Sequence, residues 1–174
     1  MYASVRPATI DDAAGIALVN FTSWNETYHG LIDNAYLDSL SIDHYERKWK
    51  RILSTQNEHS FTLLIEQDGK IVGYVSGGKA IHQLKSYEGE VYALYLLKEQ
   101  HGKGYGKALF LSAVKHLQQS GFKSFCVFVL KDNPAAHFYS RFKPQFQQPA
   151  KVNIDGRDYE DIGFGWNNFD LLNA

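Results

Sequence analysis

Residues 101–107 read His101-Gly102-Lys103-Gly104-Tyr105-Gly106-Lys107, with glycine at every second position. Glycines leave their backbone N–H groups unobstructed and let the chain turn sharply. Downstream, residues 108–119 place Leu109, Phe110, Ala113, Val114 and Leu117 on one helical face. The turn therefore feeds a helix N-terminus, where converging N–H groups and the positive end of the helix dipole favour a phosphate or pyrophosphate. Lys103 and Lys107 are placed to neutralise such a group. The chemistry implied is that of a phosphorylated cofactor.

Two common phosphate motifs are excluded. A P-loop would require Gly at 101 and Ser or Thr at 108, where the chain has His101 and Ala108. A dinucleotide fingerprint begun at Gly102 would require Gly at 107 and meets Lys107. The segment resembles instead the acetyl-CoA-binding loop of the GCN5-related N-acetyltransferase (GNAT) superfamily, Gln/Arg-x-x-Gly-x-Gly/Ala, with His101 where the family usually has Gln or Arg. Asn133-Pro134-Ala135-Ala136-His137-Phe138-Tyr139 is similar to that family's Asn-x-x-Ala-x-x-Phe-Tyr element, one residue shorter before the Phe-Tyr pair. Weaker similarities lie at Val5-Arg6-Pro7-Ala8-Thr9 with Asp11-Asp12, and at Asp68-Gly69-Lys70-Ile71-Val72-Gly73-Tyr74. The resemblance covers about residues 5–142.

The resemblance implies an α+β, GNAT-like mixed sheet, mainly antiparallel, of about six to seven strands flanked by helices around a central parallel βαβ unit. It implies acetyl-CoA as cofactor, with the pantetheine arm between two splayed parallel strands. The backbone of Leu94, Tyr95 and Leu96 would meet that arm, His101 to Lys107 the pyrophosphate, and Asn133 and Ala136 the cofactor from the following helix. Glu90, fourteen positions ahead of Gly104, matches the place of a general-base glutamate, and Tyr139 that of the acid facing the thioester sulfur. Each role makes chemical sense. A primary ammonium with a pKa of about 10.4 is mostly protonated at neutrality, and a positioned base contributes roughly 100- to 10,000-fold. A phenol with a pKa near 10 keeps its proton until a thiolate needs it. Plainer roles stand beside these: Glu90 as a charged residue at a strand start, Tyr139 as helix packing, His101 as a cover for its own loop, Asn133 as a helix cap.

The acceptor pocket is expected between the first helical region and the 80–89 loop. Trp24, Glu26, Tyr28, Tyr87 and Tyr92 form an aromatic and acidic set suited to a cationic amine, or a set of core aromatics. A small-molecule amine and a protein N-terminus both remain open as acceptor. The function expected is acetyl transfer from acetyl-CoA to a primary amine by direct attack. The alternative is a non-catalytic CoA-binding regulatory or scaffold module of the same fold.

The elements that must position these groups read along the chain as a short strand at 2–6, then a helix opened by Thr9 and Asp12. A second helical region follows Gly30; Ser41 caps its later part, with Ile42, Tyr45, Trp49 and Ile52 on one face. Strands at 61–67 and 70–79 are joined by Asp68-Gly69, a type I′ dipeptide. The strand at 90–97, the glycine turn with its helix, and an almost continuously apolar strand at 122–130 make a right-handed βαβ unit. A short helix at 134–141 and strands at 146–153 and 159–166, turned at Asp155-Gly156, complete the chain.

At 174 residues the chain is expected to form a single domain, 1–174. Its net charge of −1 argues against general nucleic-acid affinity. No apolar run reaches the roughly 20 residues of a membrane span, and no secretory signal pattern opens the chain. The single cysteine, Cys126, cannot form an internal disulfide and lies in a buried-strand pattern. A cytoplasmic location is expected, with homodimerisation left open. The seven histidines show no metal-binding spacing, and no metal is expected.

Overall fold

The structure, a computed structural model, describes residues 4–82 and 84–173. Among the described residues seven strands are present: β1 (Ser4–Pro7), β2 (Ser60–Gln67), β3 (Lys70–Lys79), β4 (Gly89–Leu96), β5 (Phe125–Leu130), β6 (Phe146–Ile154) and β7 (Arg157–Trp166). They join one sheet in the order β1-β2-β3-β4-β5-β7-β6, antiparallel throughout except for the β4–β5 pair. The helices are α1 (Ala13–Tyr28), α2 (Asn34–Ser39), α3 (Ile42–Thr55), α4 (Tyr105–Gln119) and α5 (Ala135–Ser140). The expected mixed, mainly antiparallel α+β sheet with a central βαβ unit is what forms. Of the strand expected at 2–6, residues 2 and 3 lie outside the described residues.

Local chemistry explains the boundaries. Both central residues of each hairpin turn have positive φ, 52° and 75° at Asp68 and Gly69, 50° and 78° at Asp155 and Gly156, as a type I′ turn demands. Ser41 Oγ accepts the His44 N–H at 3.2 Å and opens α3. A short 3-10 turn, Ile10–Asp12, leads into α1, and Asp12 accepts the Thr9 N–H at 2.7 Å. The Arg6 guanidinium grips both Asp12 oxygens at 2.8 Å and also Glu66 on β2. That pairing holds the Asp12 carboxyl down at about 2. Ile42, expected on the buried face of α3, is exposed. It stands in the first turn, ahead of the stretch where Tyr45 and Trp49 pack against α1 and β3.

Strand alternation sorts the core onto two faces. On one, Leu109, Phe110, Ala113, Val114 and Leu117 of α4 pack with Val75, Val91, Val127 and the α5 residue Tyr139. On the other, Ile16, Ala17 and Val19 of α1 meet Trp49 of α3 and Leu64 and Tyr74 of the sheet. Among the described residues no helix is long and apolar enough to cross a membrane.

The feature that makes a site is the β4–β5 junction. The two strands pair only at Gly89/Phe125, Glu90/Cys126 and Val91/Val127. Beyond that, β4 runs on to Leu96 and β5 to Leu130 without pairing to each other, so the sheet opens as a wedge. The register of β4 against β3 also slips, Val91 facing Gly77 and Ala93 facing Ser76, which leaves Tyr92 as the extra residue of a bulge. Gly77 permits this close approach: a Cβ there would stand 2.6 Å from the Glu90 carbonyl oxygen.

Candidate active site

The wedge is a cleft of about 720 Å³, walled by β4 and β5, by Trp24 and Tyr28 of α1, by Asn133, Ala135 and Tyr139, and by the β6–β7 hairpin. Leu97 N–H bonds the Val72 carbonyl on β3. By the two-residue alternation of an antiparallel strand, the backbone groups of Leu96 and Leu94 therefore face away from β3, into the gap. Tyr95 turns its backbone the other way and contributes its ring, whose hydroxyl shares a 2.9 Å hydrogen bond with Tyr28. Burial raises the pKa of both phenols.

At the closed end of the wedge sits Glu90, 2 % exposed. Its Oε2 accepts the backbone N–H groups of Ile81 and His82 at 2.9 and 3.0 Å, and its Oε1 accepts His82 Nδ1–H at 2.6 Å. His82 itself is well exposed, lines the cleft, and lays its ring 5.4 Å from that of Phe128 on β5. Asp161 on β7 is a second buried acid in the cleft. Burial pushes its carboxyl up to about 6, with His82 working in the opposite direction. Tyr139 reaches the cleft from α5, and burial drives its hydroxyl well above the ordinary phenol range, so it holds its proton firmly.

The glycine turn lies at the open end of β4. Gly102 and Gly104 have φ of 78° and 82°, and nothing lies within 4 Å of where a Cβ would stand on either. The first α4 bond runs from Ala108 N–H to the Gly104 carbonyl, so the N–H groups of Tyr105, Gly106 and Lys107 are free of intrahelical partners. These features fit a pyrophosphate. His101, though exposed, folds back on the chain and donates through Nε2 to the Leu96 carbonyl at 3.0 Å, and Lys103 Nζ donates to Gln100 Oε1 at 2.8 Å. Asn133 Oδ1 accepts the Ala135 N–H at 2.9 Å, which fixes the start of α5.

Trp24, Tyr28 and Tyr92 line the cleft. Tyr87 does not: its ring packs beside Phe146 and its hydroxyl donates to Asn167, because the loop carries it over the neighbouring strands instead. Glu26 is exposed, on a part of α1 away from the cleft wall. Cys126 is fully buried, with burial and the nearby Glu90 pushing its thiol up to about 12, as befits a core residue. His82, Asp161, Tyr36 and the β6 wall from Gln148 were not legible as site residues. His82 sits in no recognisable spacing. Asp161 left one signal, an acid standing at the head of the apolar run Ile162-Gly163-Phe164-Gly165-Trp166.

A model of the acetyltransferase (GNAT) family matches residues 20–143. The chain belongs to this family. This GNAT protein is 33 % identical over 169 residues to the "Uncharacterized N-acetyltransferase YuaI" of Bacillus subtilis (strain 168), covering 97 % of this chain and 95 % of the relative. It is 25 % identical to the spermidine N(1)-acetyltransferase of Thermoplasma acidophilum, over 91 % of this chain and 95 % of that protein. Among solved structures, the PaiA N-acetyltransferase of Thermoplasma acidophilum in complex with coenzyme A superposes with a TM-score of 0.66 at 22 % identity, covering 93 % of this GNAT chain and 98 % of that one. YncA of Salmonella typhimurium with acetyl-CoA gives 0.68 at 17 %, covering 96 % and 94 %. Those two structures share the fold.

Proposed function

We propose that the protein is a single-domain N-acetyltransferase that moves an acetyl group from acetyl-CoA to a primary amine by direct attack. The observation that carries this reading is that Glu90 and Tyr139, far apart in the chain, line the same cleft, Glu90 from the stretch of β4 still paired with β5 and Tyr139 from α5. When bound, acetyl-CoA supplies an electrophilic thioester carbonyl. The N–H groups at the α4 N-terminus would hold its pyrophosphate. The gap-facing N–H groups of Leu94 and Leu96 would hold the arm and meet charge developing on the carbonyl oxygen. Tyr139 would give its proton to the departing sulfur, and the Glu90 carboxylate, acting directly or through a group it holds, would drive removal of the proton from the amine.

The acceptor reading is a cationic amine. Asp161 supplies the anionic anchor, and the rings of Trp24, Tyr28 and Tyr36 supply faces that attract an ammonium group. The spermidine N(1)-acetyltransferase relative supports a polyamine. A regulatory module that merely holds CoA would have no use for a carboxylate and a phenol converging on one cleft. The test is thiol release from acetyl-CoA against spermidine, monoamines and an amino-terminal peptide. Transfer to spermidine at a higher kcat/KM than to the peptide is expected, and release with none of them refutes the reading.

A further inference from the structure

We infer that His82, held by Glu90, is the group that touches the acceptor amine and takes its proton, making Glu90 a positioning residue. The inference rests on the amine-acetylation reading above and refines its base. Glu90 Oε2 is fully occupied by two backbone N–H donors, and Oε1 already accepts His82 Nδ1–H at 2.6 Å. With 2 % of the residue exposed, little of the carboxylate is left to meet a substrate. The His82 side chain is 59 % exposed and lines the cleft. A carboxylate that accepts from Nδ1–H fixes the tautomer with the lone pair on Nε2, the arrangement a carboxylate–histidine pair uses to make imidazole a base.

The geometry around the ring agrees. Phe128 supports one side of it, and the partly apolar cleft lies beyond. The titratable groups around the pair are Asp161 from β7, Tyr92 from β4 and the Cys126 thiol from β5, the last two raised chiefly by burial and further by the Glu90 charge. The step balances. The amine nitrogen forms its bond to the thioester carbon as the carbon–sulfur bond breaks, the nitrogen's proton passes to His82 Nε2, and the Tyr139 hydroxyl proton passes to sulfur. The exposed imidazolium then passes its proton through water to the Tyr139 phenolate, which resets both groups, and an acceptor that enters as its ammonium form first gives its extra proton to solvent by way of the same nitrogen.

The experiment compares wild type, His82→Ala, His82→Asn and Glu90→Gln with acetyl-CoA and two amines, spermidine and benzylamine. Asn keeps a donor toward Glu90 but carries no basic nitrogen. Both His82 variants should retain the acetyl-CoA-induced rise in Tm, which also shows that they fold. Both should lose kcat at neutral pH by roughly 100-fold or more, with recovery at alkaline pH and, for the Ala variant, with added imidazole. Independently of turnover, ¹⁵N-histidine NMR of the wild type should show His82 with its proton on Nδ1, shifting toward Nε2 in Glu90→Gln. Wild-type turnover in His82→Asn would reduce the residue to a cap on Glu90 and overturn the inference. So would full activity of both His82 variants beside a collapsed Glu90→Gln, or an Nε2–H tautomer in the wild type. A wild type that binds acetyl-CoA but transfers to neither amine refutes the functional reading itself and this inference with it.

Discussion

The His101 imidazole donates through Nε2 to the Leu96 carbonyl, 3.0 Å away, and so ties the glycine turn to the last residue of β4. A side chain spent on the protein's own backbone is not aimed at a phosphate. His101→Ala should therefore weaken acetyl-CoA only several-fold, through a looser turn, as read by titration calorimetry.

Gly104→Val should act quite differently. The branched side chain must adopt φ near 82° and would fill the open space at the α4 N-terminus. Saturating the wild type at a hundredfold excess over Kd should add about 2.7 kcal/mol, a Tm rise of roughly 5–10 °C for a chain of this size. Thermal unfolding of Gly104→Val with and without acetyl-CoA should show no rise; an undiminished one would place the pyrophosphate elsewhere.

Tyr139→Phe keeps the ring among Phe110, Phe138 and Phe142 and removes only the hydroxyl. Turnover should fall by about 100-fold, while acetyl-CoA affinity and Tm barely move. Equal turnover in rapid-quench measurements of the chemical step would leave Tyr139 as packing alone.

Asp161 links stability to pH. Its carboxyl titrates near 6 in the fold against an ordinary 3.8, so folding takes up a proton between those values and stability falls as pH rises through that window. Asp161→Asn removes the buried charge. Its Tm should match the wild type below pH 4 and exceed it above pH 6, while its KM for spermidine rises. A Tm difference independent of pH would count against the burial assignment, and an unchanged KM against the ammonium anchor.

Gly77→Ala tests the bulge. The added methyl would meet the Glu90 carbonyl and the Phe61 ring at 2.6 and 2.8 Å, and a backbone group cannot step aside. A loss of about 1–3 kcal/mol in chemical denaturation is expected. Amine turnover should drop with it, since β4 carries Glu90; unaltered stability would mean the strand absorbs the methyl.

Much of the sheet was legible because its signals are local. Two type I′ dipeptides fix two hairpins, and the α4 stripe from Leu109 to Leu117 fixes which face turns inward. The glycine turn was legible for the same reason. The pairing of His82 with Glu90 was not, because it depends on how the 81–82 backbone folds over β4. Asp161 was hidden differently. Its burial follows from β7 lying between β5 and β6, a strand order set by long-range pairing that no spacing encodes. Tyr87 illustrates the converse, an aromatic of suitable type carried by its loop to the wrong strands.

The three residue pairs joining β4 to β5 also bear on how the molecule is assembled and how it comes apart. On one side, β1 to β4 form a meander apart from the long return of β1; on the other, β5, β7 and β6 close as a second antiparallel unit. Each wing holds hairpins of short sequence separation, which form early. The seam between them is expected to close later, once α4 crosses over and buries its stripe. Amide exchange should accordingly divide the sheet into two blocks of protection. Mechanical load across the strands is expected to part the molecule along this seam, where three residue pairs join the wings.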